Sequence, residues 1–112
     1  MLVDLILLPG NSARNNKWIE DVEKTIGPSF DHTTIQYYKH WETGNELIDL
    51  DAELKLLAEK TSKLKNYIIF AKSAGTLLAL KGINQRKISP TQCIFVGFPK
   101  TWAHKQNFDV DT

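Results

Sequence analysis

The sequence predicts an α/β fold, with a parallel β-sheet covered by helices on both faces in three layers. Short apolar runs that predict strands alternate with segments of helical periodicity, in the order β-α-β-α-β-α-β. The first, third and fourth runs are almost continuously apolar, which is typical of parallel strands buried on both faces. Such strands are joined by right-handed crossovers. The predicted strands are Leu2–Leu8, Thr33–Tyr38, Tyr67–Ala71 and Cys93–Gly97.

The first predicted helix follows Ser12, which is a candidate N-cap. Glycine directly past a helix, with proline beyond it, is a typical end signal, and Gly27 and Pro28 provide it. The apolar residues between these signals recur three and four positions apart, on one helix face. They are Trp18, Ile19, Val22 and Ile26.

Two further helices are predicted. The second carries a stripe of leucines, and its acidic run Asp49-Asp51-Glu53 suits the positive end of a helix dipole. The third runs from Ala74 to Lys81 and is apolar nearly all round, so we expect it to be buried, with Gly82 as its end. The stripe of the second helix consists of Leu47, Leu50, Leu54 and Leu57.

Length and charge restrict the class of protein. The 112 residues fit a single domain, residues 1–112. The net charge is +1 and no basic stripe is present, so no nucleic-acid partner is indicated. Cys93 is the one cysteine, which excludes a disulfide framework and predicts a reducing, cytoplasmic location. No apolar run is long enough to cross a bilayer, so no membrane partner is expected.

No cofactor or metal is predicted. The loop PGNSARNNK joins a strand to a helix, as phosphate loops do. It lacks the G-x-G-x-x-G pattern and the Gly-Lys-Ser/Thr ending of a P-loop. The carboxylates are scattered, without the spacing of metal ligands.

Ser73 lies where the third strand becomes the third helix, in the stretch YIIFAKSAGTLLAL. No polar gap separates the two apolar segments, so the turn must be sharp and its central residue strained. Small residues flank the serine, with Ala71 two positions before it, Ala74 after it and Gly75 two positions after it. This is the layout of the G-x-S-x-G nucleophile elbow, which lifts a hydroxyl above the sheet.

With AKSAG at this turn and LILLPGN at the end of the first strand, the whole chain resembles the α/β-hydrolases. The resemblance implies the spatial strand order 2-1-3-4, with all strands parallel and the less apolar second strand at an edge. It also implies a serine hydrolase that acts on a small ester, thioester or amide.

The resemblance assigns roles to particular residues. Ser73 is the implied nucleophile, and the backbone N–H of Ala74 is one implied donor of the oxyanion hole. The second donor comes from the loop after the first strand, where this sequence has Pro9-Gly10. The N–H of Asn11, or as the weaker alternative that of Ser12, fills this role, and Gly10 and Ser12 are expected beside the substrate.

The sequence departs from the family in two ways. Ala71 replaces the first glycine of the elbow, a small-for-small change. The family's catalytic acid and histidine follow later strands, so we expect the chain to be truncated before them and to hydrolyse esters poorly by itself. The fourth strand would then lack an outer neighbour, and we expect self-association through its exposed edge.

Other residues are open to two interpretations. Trp41 and Trp102 either line an apolar acyl or leaving-group pocket above Ser73, or pack as ordinary aromatic residues. His40 and His104 follow strands on the crevice side, where a solvated loop histidine is the simpler interpretation and a catalytic base the alternative. Asp109 and Asp111 follow Ser73, but no histidine follows them, and His32 is expected at the opposite end of the sheet.

Two functions of other classes remain open beside the hydrolase. One is a flavodoxin-like binding module that holds an anionic ligand at Gly10–Ser12 without covalent chemistry. The other is a pseudo-hydrolase that keeps the fold for interaction. An aspartate and a histidine at later strand ends would favour the hydrolase over both.

Overall fold

A computed structural model describes residues 3–97 of the chain. The strands are β1 (Asp4–Leu8), β2 (His32–Ile35), β3 (Tyr67–Lys72) and β4 (Gln92–Val96). The helices are α1 (Asn15–Ile26), α2 (His40–Thr43), α3 (Leu50–Thr61) and α4 (Ala74–Asn84), with a 3₁₀ turn at Gly27–Ser29.

The strands form one parallel sheet in the order β2-β1-β3-β4, which confirms the predicted order and direction. β1 and β3 are central, and Leu5 of β1 pairs with Thr33 on one side and Ile68 on the other. β2 is shorter than predicted and ends at Ile35. The N–H of Gln36 still donates to Leu7 O, 3.0 Å away, before the chain leaves the sheet.

Apolar side chains of β1 alternate between the two faces of the sheet, as the period of a strand requires. Leu5 and Leu7 pack with Ile19 of α1 on one face. Ile6 and Leu8 belong to the core on the other face, together with leucines of α3 and α4. The four apolar side chains of β1 are at most 1% exposed, and such burial contributes roughly 1.5–3 kcal/mol for each one.

The predicted N-cap of α1 is wrong. α1 begins at Asn15, and the hydroxyl of Ser12 accepts from the N–H of Arg14 at 3.2 Å within the preceding turn. The other end agrees with the prediction, since α1 ends at Ile26 and Gly27 follows. Of the predicted stripe, Ile19 is buried and the other members are partly buried against the same core.

α3 begins later than the leucine stripe predicted. Asp49 is its N-cap, and the carboxylate accepts from the N–H of Ala52 at 3.1 Å. Leu47 therefore lies outside the helix and is exposed. Leu50, Leu54 and Leu57 are buried on the predicted face.

Gly82 does not end the last helix. α4 continues to Asn84, and the chain reverses at Arg86, which has a φ of 57°. The N–H of Lys87 then donates to Gly82 O at 2.9 Å. Gly82 instead permits close packing, because a Cβ there would lie 2.8 Å from side-chain carbons of Leu54 and Ile88.

β4 lies at an edge of the sheet, and Ile94, Phe95 and Val96 are each 37–41% exposed. In the part of the chain that the structure describes, no strand pairs with its outer side. The predicted self-association through this edge stays a prediction. Among the helices described, none is both long and apolar enough to cross a membrane.

Candidate active site

Ser73 is the single residue between β3 and α4, and it has the strained backbone that a sharp strand-to-helix turn requires. Its φ is 51° and its ψ is −113°, outside the regions that non-glycine residues favour. Its N–H donates to Val96 O at 2.9 Å, which continues the pairing of β3 with β4. Strain of this kind costs on the order of 1–3 kcal/mol and persists only where the surroundings enforce it.

The residues around Ser73 are small because the start of α4 lies against the end of β1. A Cβ on Gly75 would be 2.3 Å from the carbonyl oxygen of Leu8, so only glycine fits there. Ala71 and Ala74 are buried on either side of the serine. Ser73 and the loop after β1 therefore both lie at the carboxyl edge of the sheet, where α/β proteins bind ligands.

The first turn of α4 is held by Thr76. Its N–H and its hydroxyl donate to the carbonyl oxygen of Ser73 at 2.9 and 2.6 Å. Within residues 3–97, neither the Ser73 hydroxyl nor the Ala74 N–H has a hydrogen-bond partner. Ser73 is half-buried and Ala74 is the first residue of α4, a position at which a backbone N–H favours developing negative charge.

Asn11 is the most firmly held residue of the loop after β1. Its side-chain amide donates to Glu46 O at 2.7 Å, and its Oδ1 accepts from the N–H of Ile48 at 2.7 Å. Its carbonyl oxygen accepts from ring nitrogens of His40 and Trp41. Its own N–H has no acceptor among the residues that the structure describes.

Gly10 and Ser12 belong to the same loop. A Cβ on Gly10 would approach the side chain of Asn15 at 3.0–3.1 Å, so the loop packs closely on the start of α1. The carbonyl oxygen of Ser12 accepts from both the backbone N–H and the side-chain amide of Asn15, at 2.9 and 3.0 Å. These bonds close the turn before α1. The role of Gly10 and Ser12 beside a substrate stays a prediction.

The aromatic residues near the site differ in what the structure shows of them. Trp41 is half-buried and packs edge-on to Tyr38, with 5.3 Å between the ring centroids. Its contact with Asn11 ties it to the loop after β1, and a role in a substrate pocket stays a prediction. Trp102 lies outside the described residues. Lys72, the residue before the serine, places its Nζ 4.5 Å from the ring centroid of Trp18, as a cation–π pair.

The histidines have distinct positions. His32 pairs with Asp4 at the start of the strands, which confirms its predicted place at the opposite end of the sheet. His40 is 7% exposed and its Nε2 lies 2.6 Å from Asn11 O, so the interpretation as a solvated loop residue is wrong. His104, like Asp109 and Asp111, lies outside the described residues.

Glu53 and Gln36 form a buried polar pair that was not predicted from the sequence. Glu53 is 1% exposed, and its carboxylate accepts from the Gln36 side chain at 3.0 Å and the Lys39 N–H at 3.0 Å. The acidic run does mark the start of α3 as predicted, with Asp49 as the N-cap and Asp51 and Glu53 in the first turn, but Glu53 is also buried. Glu53 stands three residues after Leu50 and four before Leu57, so its place on the buried face was readable from the spacing.

Tyr38 links this pair to the loop after β1. Its hydroxyl donates to Pro9 O at 2.5 Å. Burial raises the pKa of Tyr38 well above its ordinary value, and the charge of Glu53 raises that pKa further. The phenol therefore stays protonated at neutral pH and remains a donor.

Two clefts of the described surface lie away from Ser73. One, of about 570 Å³, lies between α3 and the end of α4 and includes Asp51 and Lys87. The other, of about 530 Å³, lies beside β4 and includes Ile83 and Cys93. Over residues 3–97, no group of His, Cys, Asp or Glu has a metal-binding arrangement.

Comparison of the chain with protein-family models, with curated proteins and with solved structures finds no match.

Proposed function

We propose that this chain is a serine hydrolase of the α/β-hydrolase type, which acts on a small ester, thioester or amide. The observation that carries the proposal is the backbone of Ser73, with a φ of 51° between a buried strand and a buried helix. A strained serine at a strand-to-helix turn is the feature that defines a nucleophile elbow. Strain at such a position supports a functional role, because a turn without one gains nothing from it.

The proposed reaction is acyl transfer in two steps. The Ser73 hydroxyl oxygen attacks the substrate carbonyl carbon, and the bond to the leaving group breaks as an acyl-serine forms. The N–H groups of Ala74 and Asn11 stabilise the negative oxygen of the tetrahedral intermediate. Water then hydrolyses the acyl-serine, which releases the acid and restores the hydroxyl.

A general base must accept the hydroxyl proton of Ser73 and pass it to the leaving group. His40 is poorly suited to that task, because its Nε2 is engaged with Asn11 O at 2.6 Å. His104, which follows β4 in the sequence, is the remaining candidate. Removal of any triad member leaves roughly 10³–10⁴-fold catalysis over water in serine proteases, from the oxyanion hole and binding.

The test is turnover of a chromogenic short-chain ester. Ser73→Ala is compared with Ser62→Ala, a matched control at an exposed serine whose hydroxyl donates to Glu59 O at 3.0 Å. We expect slow turnover that is lost with Ser73→Ala and kept with Ser62→Ala. Turnover that survives Ser73→Ala would exclude Ser73 as the nucleophile. If His104→Ala lowers turnover, His104 is the base.

Non-covalent anion binding at Gly10–Ser12 is a second candidate function. The observation that favours it is the set of backbone N–H groups of Gly10, Asn11 and Ser12, which have no acceptor among residues 3–97. Consecutive free N–H groups form concavities that bind anions. Saturable binding of inorganic phosphate, together with no Ser73-dependent turnover, would favour this function or an inactive pseudo-hydrolase.

A further inference from the structure

The carbonyl oxygen of Asn11 is held by two aromatic side chains from α2. The Nε2 of His40 lies 2.6 Å from it, and the indole N–H of Trp41 donates to it at 2.8 Å. Because a carbonyl oxygen only accepts hydrogen bonds, the Nε2 of His40 must carry a proton. Two ring N–H groups therefore fix the direction of the peptide group between Asn11 and Ser12.

The peptide group between Pro9 and Gly10, on the N-terminal side of Asn11, is fixed as well. The hydroxyl of Tyr38 donates to Pro9 O at 2.5 Å, which sets the peptide between Pro9 and Gly10. The proposed oxyanion donor, the N–H of Asn11, lies between these two fixed peptides. The Asn11 side chain adds a third anchor. It donates to Glu46 O and accepts from the Ile48 N–H, both at 2.7 Å.

The three aromatic rings support one another. Tyr38 stacks on His40 with 5.8 Å between ring centroids, and it meets Trp41 edge-on at 5.3 Å. Tyr38 is 1% exposed and His40 is 7% exposed, so neither ring can turn without disturbing the core. The two donors to Asn11 O are thus held in place by packing.

Glu53 of α3 anchors the segment 36–41, which carries these rings. The buried carboxylate of Glu53 accepts from the Gln36 amide and from the Lys39 N–H, both at 3.0 Å. Lys39 directly precedes His40. The anchor therefore runs from α3 through this segment to the loop after β1.

We infer that His40 and Trp41 are positioning residues that hold the Asn11 N–H in the direction of the oxyanion. The inference rests on the proposed function for its consequence, but the geometry it describes is independent of catalysis. Oxyanion donors are effective because they are oriented before the reaction and need no reorganisation.

The experiment measures two quantities on the whole chain. The first is the rate of phosphonylation of Ser73 by a fluorophosphonate, whose phosphoryl oxygen would occupy the oxyanion hole, separated into a maximal rate and a binding constant. The second is the ¹⁵N order parameter of the Asn11 amide. The variants are His40→Phe, Trp41→Phe and both together, which keep an aromatic ring at each position and remove its N–H donor. The matched control is Tyr37→Phe, which removes an exposed bond to Glu20 at 3.1 Å in the same segment.

We expect each single variant to lower the maximal rate about five- to tenfold, with the binding constant unchanged, as for loss of one hydrogen bond. We expect the double variant to lower it further, and the Asn11 order parameter to fall from about 0.85 toward 0.6. Tyr37→Phe should change neither quantity. Thermal unfolding of Trp41→Phe confirms that the variant remains folded.

A rigid Asn11 amide in the double variant, or an equal effect of Tyr37→Phe, would overturn the inference. If wild-type Ser73 is not phosphonylated at all, the proposed function fails. The order parameter of Asn11 then decides alone whether His40 and Trp41 hold this loop.

Discussion

Replacing Gly75 with alanine tests whether α4 approaches β1 as closely as the proposed elbow requires. The added Cβ would lie 2.3 Å from the carbonyl oxygen of Leu8 and 2.8 Å from its carbonyl carbon. Ordinary contacts begin at 3.4 Å, so the oxygen would be about 1.1 Å too close. Leu8 ends a central strand that pairs with Ala71, so its backbone cannot move without disturbing the sheet.

Gly82→Ala is a matched control in the same helix. Its Cβ would lie 2.8 Å from side-chain carbons of Leu54 and Ile88, which are ends of flexible side chains. Both substitutions gain up to about 1 kcal/mol of helix propensity. Overpacking against a well-packed core costs roughly 1–3 kcal/mol, and more where the backbone is the obstacle. We expect Gly75→Ala to be at least about 2 kcal/mol less stable than Gly82→Ala.

Urea unfolding followed by circular dichroism measures the difference. With a slope of roughly 1–2 kcal/mol per molar urea, the two midpoints should differ by about 1–2 M. If the dependence of the free energy of unfolding on urea concentration has the same slope in both variants, the difference in midpoint reports a difference in stability. A difference below about 0.5 kcal/mol, or a more stable Gly75→Ala, would refute the close approach and with it the geometry of the turn.

Three further predictions concern the supports of the fold. Arg86→Gly should raise the free energy of unfolding by about 0.5–1 kcal/mol, because the φ of 57° strains a side chain there, and an unchanged urea midpoint would contradict this. Glu53→Ala should lower that free energy by about 1–3 kcal/mol, because the Lys39 N–H loses its acceptor and the Gln36 amide keeps only the main-chain carbonyl of residue 53; a loss below about 0.5 kcal/mol in urea unfolding would count against the buried anchor. Because the pKa of Tyr38 is raised in the folded state, its phenol contributes stability that is complete below about pH 10, the ordinary pKa of tyrosine, and is lost as the pH rises toward the folded-state pKa. Between about pH 9 and 11 the free energy of unfolding should therefore fall less steeply with pH in Tyr38→Phe than in wild type. Equal slopes would contradict this.

The sheet was predictable because its two central strands, β1 and β3, are apolar on both faces. Runs such as Leu5–Leu8 and Tyr67–Ala71 leave no polar face, and only parallel strands between helices satisfy that pattern. The sharp turn at Ser73 followed from the lack of a polar loop between the two apolar segments. The observed φ of 51° has the same cause.

The supports of the loop after β1 were not predictable in the same way, because they depend on contacts distant in sequence. His40 and Trp41 reach Asn11 across about thirty positions, and no local pattern specifies that pairing. Ser12 has the residue type of an N-cap, but its hydroxyl bonds within the preceding turn. Gly82 has the type of a helix end, yet its function is close packing with Leu54.

If Ser73 is a nucleophile, a fluorophosphonate should modify it covalently, and the site of that modification tests the proposal most directly. The intact protein is incubated with the reagent, digested and analysed by mass spectrometry, with Ser73→Ala in parallel. This measurement needs a single chemical step, so it does not depend on how fast an acyl-serine would be hydrolysed. We expect one adduct, on Ser73, that is absent in Ser73→Ala. An unmodified Ser73, or adducts that persist in Ser73→Ala, would contradict it.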